Sequence, residues 1–401
     1  MSSTLAGNRP GSQCEHVANG SRLFTRWRDP VSGVESRVLT SRVAPMQLSF
    51  YFVNPSLTDD GRYLWFYCVY PPGGRNAYGW QLGVVDFEAD TIRVYPETMF
   101  QDASPYVDLA TGDAYWTTGL EIWRRGPRST DIAQRVGAFP ADVANNRRPR
   151  RIATHLTRSA DGKSFAIDAE FSPDWYVGDI PVDGSSPARI WQQFDRCYNH
   201  AQFSPTDPNT ILVAQDGWFD SATGEKGEGE DRLWLLTRGG EARPLCPDAP
   251  AASNRRGHEW WDADGEHVWY IDYRNGTERV NIHTGVRETI WANGHTHSHC
   301  DRAGRYLVGD TFTPPGHWAM AFYNIATGRE IAIVTEFPVY NGACGCSSLP
   351  ATTAGYDATQ YHVHPHPQFC NGDRMIAYTT NVRGSIDVAL VDVEQLVALT
   401  S

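Results

Sequence analysis

Tyr361-His-Val-His-Pro-His-Pro-Gln-Phe-Cys-Asn-Gly-Asp373, followed by the apolar run Met375–Tyr378, contains both patterns on which the fold reading rests. Its second half is a turn leading into a strand of aromatic and apolar residues. Its first half sets His362, His364 and His366 at alternate positions, and alternate side chains of an extended strand share a face. A second tract, His295, His297 and His299, stands before Gly304 and Tyr306–Val308 in the same way.

Working outward, the turn-and-strand unit recurs. Asp60-Gly61 precedes Leu64–Tyr67, Gly112 precedes Ala114–Trp116, and Asp161-Gly162 precedes Phe165–Ile167. Thr206–Asn209 precedes Ile211–Val213, and Asp264-Gly265 precedes Val268–Ile271. With the two histidine tracts this makes seven units at an irregular period of roughly 40 to 65 residues, near that of a four-stranded propeller blade with insertions. Ile282–Gly285 and Ile325–Gly328 read as hairpin turns between outer strands. Asp29–Thr40 has the same shape but lies ahead of the first unit, while the last unit ends soon after Val388–Val393. The economical expectation is an all-β, seven-bladed propeller forming a single domain over residues 1–401. Its N-terminal hairpin completes the final blade and removes free sheet edges; a two-sheet sandwich is the alternative. Residues 1–20 read as a flexible tail, Pro140–Arg151 as a basic linker-like segment and Ser221–Asp231 as a mobile surface loop.

Composition agrees with short strands and many turns: 14 Trp, 18 Tyr and 16 Phe in 401 residues, with abundant Gly and Pro. No apolar run is long enough for a membrane-spanning helix and no secretory signal is visible, so a cytoplasmic setting is expected. The eight scattered cysteines fit a reducing compartment, and no C-x-x-C pair supports a thiolate zinc site at Cys344 and Cys346. A net charge of −12 argues against nucleic-acid binding. It leaves room for a small anionic substrate, provided the site supplies its own positive charge from Arg or a metal. Oligomeric state is not legible.

Counting back from each turn places the histidines in register. His155, His258 and His297 lie seven residues before Gly162, Gly265 and Gly304; His200 lies seven before Asp207, and His364 eight before Gly372. Equivalent points on the innermost strands of a propeller ring one central opening, so five imidazoles are expected at one mouth. For His155 and His200 a core histidine bonded to a neighbouring strand is an equal reading. The paired tracts point further, because two histidines on one strand can serve one ion and imidazole suits Zn, Mn, Fe and Cu. His297, His364 and His366 are the expected metal ligands, with His299 as a rival and Gln360 and Tyr361 as further donors. Arg255, Arg232, Trp260 and Trp261 are candidates for holding a carboxylate and walling a sugar ring, against plain ion pairing and core packing.

These residues resemble the oligogalacturonate lyases. The similar stretches are D-P-V-S-G at Asp29–Gly33, H-L-T-R-S-A-D-G at His155–Gly162, H-A-Q-F-S-P at His200–Pro205, D-R-L-W at Asp231–Trp234, G-H-E-W-W-D-A-D-G at Gly257–Gly265 and H-P-H-P at His364–Pro367. They cover nearly the whole chain in order. The resemblance implies a divalent ion, typically manganese with zinc as the alternative, held by three histidines and a glutamine. It also implies cleavage of short oligouronides by β-elimination to a 4,5-unsaturated uronate. Carried over, His297, His364 and His366 would be ligands and His258 the proton-abstracting base. Arg232 would be a partner of the substrate carboxylate or of the base, with His200 and His155 in the catalytic ring and Arg255, Trp260 and Tyr361 on the substrate. A lyase for another uronate glycan of the ulvan type, a metal-dependent isomerase or epimerase, and a non-catalytic interaction platform are the competing readings.

Overall fold

The computed structural model of the chain describes residues 20–70, 79–100, 104–219, 223–313, 317–338 and 363–401. Seven antiparallel sheets follow one another in chain order, each built as a meander, and together they form a seven-bladed propeller. Six of the strands that the sequence places after a turn are second in their blades: Tyr63–Val69, Ala114–Thr118, Thr210–Gln215, His267–Asp272, Tyr306–Thr313 and Met375–Thr380. The seventh, Ser164–Glu170, opens a three-stranded sheet and meets the segment before it only through isolated bridges at Arg151 and Arg158. Six of the seven preceding turns close on a glycine with positive φ (Gly61, Gly112, Gly162, Gly265, Gly304 and Gly372), a conformation that costs a residue with a Cβ. The fourth turn uses Asp207 instead, whose carboxylate accepts the N–H of Asn209 and the hydroxyl of Thr210.

The ring closes between the chain ends. Glu35–Leu39 pairs with Asp387–Asp392, joining Ser36 to Val391 and Val38 to Ala389, so the N-terminal hairpin supplies the outer strands of blade seven. Large apolar side chains fill the spaces between blades, Trp65 and Trp116 between blades one and two, Phe322 and Tyr378 between blades six and seven. Along the axis, the first strands of neighbouring blades touch: Arg256–Trp261 meets His295–Cys300, which meets Gln368–Cys370.

Three stretches depart from the sequence reading. Pro140–Arg151 is not a linker: it holds a short helix, Ala141–Ala144, and then joins blade three through an antiparallel bridge between Arg151 and Glu170. Within Ser221–Asp231, Lys226–Gly227 pairs with Trp218–Phe219 as a small hairpin inserted into blade four. The chain ends in a helix, Val393–Thr400, whose buried Val393 and Leu396 pack with the apolar residues between blades six and seven. The expected N-terminal tail lies outside the described residues up to position 19.

Candidate metal centre and central cavity

The inner strands of blades four, five and six each carry a β-bulge where a histidine tract faces the axis. Pairing of blade four skips from Asn199 to Gln202, of blade five from Gly257 to Trp260, and of blade six from His295 to His297. A bulge places two residues opposite one and turns the side chain there away from the regular alternation. His200 and His258 sit in these bulges with φ of 54° and 53°, and His366, between two prolines, has φ of 43°. Left-handed backbone is unfavourable for a residue with a side chain, and its recurrence at three inward histidines marks strain held by the surrounding structure.

The bulge at Thr296 separates the members of the first tract. Only His297 joins the second tract: His297, His364 and His366 present ligand atoms that all lie within 4.8 Å of one another. His297 is fully buried, its ring 4.4 Å from that of His366 and 5.3 Å from that of His364. Asp310, also fully buried, faces it from the next strand. Its carboxylate lies 2.8 Å from the His297 backbone N and 2.9 Å from the ring Nδ1. Burial pushes the Asp310 carboxyl well above its ordinary range, opposed by the backbone N–H groups of His297 and His366. A cation among the three imidazoles favours the ionised carboxylate, which accepts Nδ1–H and leaves Nε2 for the ion. The donor set therefore fits a divalent ion with open positions.

Beside this trio opens a cavity of about 650 Å³ lined by His155, His200, His258, His366, Arg232 and Tyr273 among others. His155 Nε2 is 2.9 Å from His200 Nδ1, and the Tyr51 ring stacks on His155 at 4.6 Å while meeting His366 edge-on at 4.9 Å. The His258 ring lies 4.2 Å from that of His297. Burial first, then the charge of Arg232 and the neighbourhood of His364, lowers His258 to about 3. His155 and His200 are lowered well below the usual histidine range, again chiefly by burial, with Arg151 and Arg232 adding to it. All three are neutral imidazoles at pH 7.

Arg232 is buried, and although burial opposes its charge, Glu259 and Asp216 more than restore it. Glu259 grips it with two hydrogen bonds of 3.0 and 3.2 Å, and Asp216 lies 3.3 Å away. Its ion pairs are thus with Glu259 and Asp216, both more than a dozen positions away, rather than with Asp231 or Glu230 beside it.

The other sequence candidates are placed elsewhere. His299 accepts the Phe369 N–H at 3.0 Å, and His295 packs on Trp291 with ring centres 3.7 Å apart; neither joins the trio. Arg255 pairs with Asp272 at 2.7 Å in a separate surface depression. Trp260 is buried, stacked on Trp269 at 5.8 Å, and its ring N–H points to Cys300. Gln360, Tyr361, His362, Cys344 and Cys346 lie outside the described residues. Asp310, Tyr51, Tyr273 and Glu259 escaped sequence reasoning. Asp310 had a signal, a lone acid in an apolar run (Tyr306-Leu-Val-Gly-Asp310), which a buried strand tolerates only with partners.

Fold and site together define a seven-bladed propeller whose central cavity adjoins a histidine trio of metal-binding composition. No profile of a known protein family matches the chain. A curated oligogalacturonate lyase of Dickeya dadantii (strain 3937) is 22% identical over 209 residues, 46% of this chain and 47% of that protein, so the match spans about half the relative's length. An oligogalacturonate lyase solved in complex with manganese shares the fold with a TM-score of 0.69 and 17% identity, covering 92% of this chain and 96% of that one. The oligogalacturonate lyase of Vibrio parahaemolyticus does so with a TM-score of 0.72 and 15% identity, covering 93% and 97%. The resemblance to the oligogalacturonate lyases read from the sequence thus extends to a curated relative and, at the level of fold, to two solved structures.

Proposed function

We propose that the protein is a divalent-metal-dependent lyase that cleaves short uronate oligosaccharides, oligogalacturonate first among them, by β-elimination. The observation that carries this reading is the histidine trio of His297, His364 and His366 next to a cavity walled by further neutral imidazoles. His297, His364 and His366 would hold the ion, with manganese favoured by the solved relative that contains it. When bound, the ion stabilises the negative charge that develops on the substrate carboxylate as the C5 proton leaves.

The chain's own residues supply the rest. The protein is acidic overall, yet Arg150, Arg151 and Arg232 line this cavity and bring positive charge to it. His258 is the residue proposed to take the C5 proton, with His200 and His155 completing the ring. Its low affinity for protons comes from desolvation and from Arg232; an incoming carboxylate acts the opposite way and raises it toward the range useful for a base. Tyr273, whose hydroxyl lies 3.2 Å from His258 Nδ1, orients that imidazole. Loss of the C5 proton and departure of the C4 oxygen leave a double bond between C4 and C5, with no water added to the sugar. Mixing the manganese-loaded protein with oligogalacturonate is expected to generate the ultraviolet absorbance of an unsaturated uronate. Binding of the oligosaccharide without that absorbance would reject the lyase reading in favour of a binding module.

A further inference from the structure

The hairpin inserted into blade four is an addition to the propeller plan, and it stands over the cavity. Trp218 and Phe219 both line the cavity wall, Phe219 with 66% of its surface exposed. The hairpin is tied to blade three through one strand and braced across its own two strands. On one side the Ser172 hydroxyl donates to the Phe219 carbonyl at 3.0 Å. Across the hairpin, the Trp218 ring packs against its partner Gly227: a Cβ there would sit 2.2 Å from the indole, closer than any side chain permits. Gly227 is not among the glycines with positive φ, so room for the ring, rather than backbone conformation, is what its missing side chain provides.

Ser172 lies two residues beyond Glu170, the acid shared by the two arginines of the segment that reads as a linker in the sequence. Arg150 Nη1 is 3.5 Å and Arg151 Nη2 is 3.7 Å from the Glu170 carboxylate. Both arginines line the same cavity as the hairpin, and the Arg150 side chain is 43% exposed. A guanidinium that can take a carboxylate and a fixed aromatic face that can cover a pyranose ring are the two elements that recognise an acidic sugar.

We infer that Arg150, Arg151, Trp218 and Phe219 form a second uronate-binding subsite, adjoining the histidine ring on the side of blades three and four, which selects oligomers over single sugar acids. This rests on the uronate reading of the cavity and adds the requirement that the chain extend toward the hairpin. Arg150 takes the carboxylate of the neighbouring residue and Trp218 and Phe219 cover its ring, while the reacting residue lies by the histidines.

The test is calorimetric titration of metal-loaded His258→Ala, which lacks the proposed base and so does not consume the trimer, alone and combined with Arg150→Ala or Phe219→Ser, with galacturonate and with trigalacturonate. The Arg150 and Phe219 substitutions both fall on exposed side chains, so the fold is retained. Each is expected to weaken trigalacturonate binding about tenfold, the scale of one charge-assisted or stacking contact, and to leave galacturonate binding unchanged. Trigalacturonate binding that ignores both substitutions, or an equal loss for the two ligands, overturns the subsite while leaving the uronate reading in place. A His258→Ala parent that binds neither ligand, with a wild type that releases no unsaturated uronate, defeats the uronate reading and the subsite with it.

Discussion

Asp310 holds two of the three candidate ligands at once, and its replacement separates fold from metal binding. Three donors converge on it: the backbone N–H and ring N of His297, at 2.8 and 2.9 Å, and the backbone N–H of His366. Asp310→Ala leaves these buried donors without their acceptor, at ~1–3 kcal/mol each, a total of ~3–9 kcal/mol that rivals the net stability of many domains. Asp310→Asn is the more informative change. Its amide oxygen can still accept one backbone N–H, but the amide nitrogen is a donor and cannot accept Nδ1–H. The imidazole then keeps its proton on Nε2, the atom required by the metal. Loss of such a carboxylate partner typically weakens metal affinity about 10- to 100-fold. Competition against a chelator of known affinity, with circular dichroism as the check on folding, measures this. A folded Asp310→Asn protein that binds manganese as tightly as the wild type would refute the argument that Asp310 sets the His297 tautomer.

Gly257 and Tyr273 should be coupled. A Cβ on Gly257 would lie 2.4 Å from the Tyr273 hydroxyl but 3.3 Å from the next ring atom, so Gly257→Ala should slow turnover about tenfold in the wild type and much less in Tyr273→Phe. Equal losses in both backgrounds would show that Tyr273 does not act through its hydroxyl on His258. Acid should unfold the protein early. Burial lowers His295 to about 3 and His299 to about 4, so the unfolded chain, titrating near 6.5, binds more protons below that pH. Stability is therefore complete above pH 6.5 and falls toward pH 4, with buried His295 alone contributing up to ~1.4 kcal/mol per unit. Thermal melts that stay level from pH 7 to 4.5 would contradict this.

The blades were legible because each repeats a local signal: a turn residue, then aromatic and β-branched residues in a buried strand. Ring closure was legible because the chain opens with a hairpin and ends short of one. The histidine register was legible too, through spacing from the turns, but counting along an ideal strand cannot register a bulge. That is why His299 stood as a rival to His297, and His295 seemed to share its face, although neither joins the trio: one extra residue at Thr296 turns His295 onto Trp291, while the Phe369 amide occupies His299. The partners of Arg232 were hidden for another reason. Glu259 is 27 positions away and Asp216 lies just past the end of the strand Thr210–Gln215, so only the assembled blades bring the three together. Arg150 and Arg151 were misread because clustered arginines look like a solvated linker when the acid that receives them, Glu170, lies in the next strand.

The central claim is that imidazoles from blades six and seven hold a single divalent ion at the cavity. Metal content per chain after exposure to manganese and gel filtration measures it directly, in the wild type and in His297→Ala and His364→Ala. One ion per wild-type chain, lost in both substituted proteins while their melting curves stay cooperative, is the expected result. A wild type that retains no ion, or substituted proteins that retain it fully, would contradict the account.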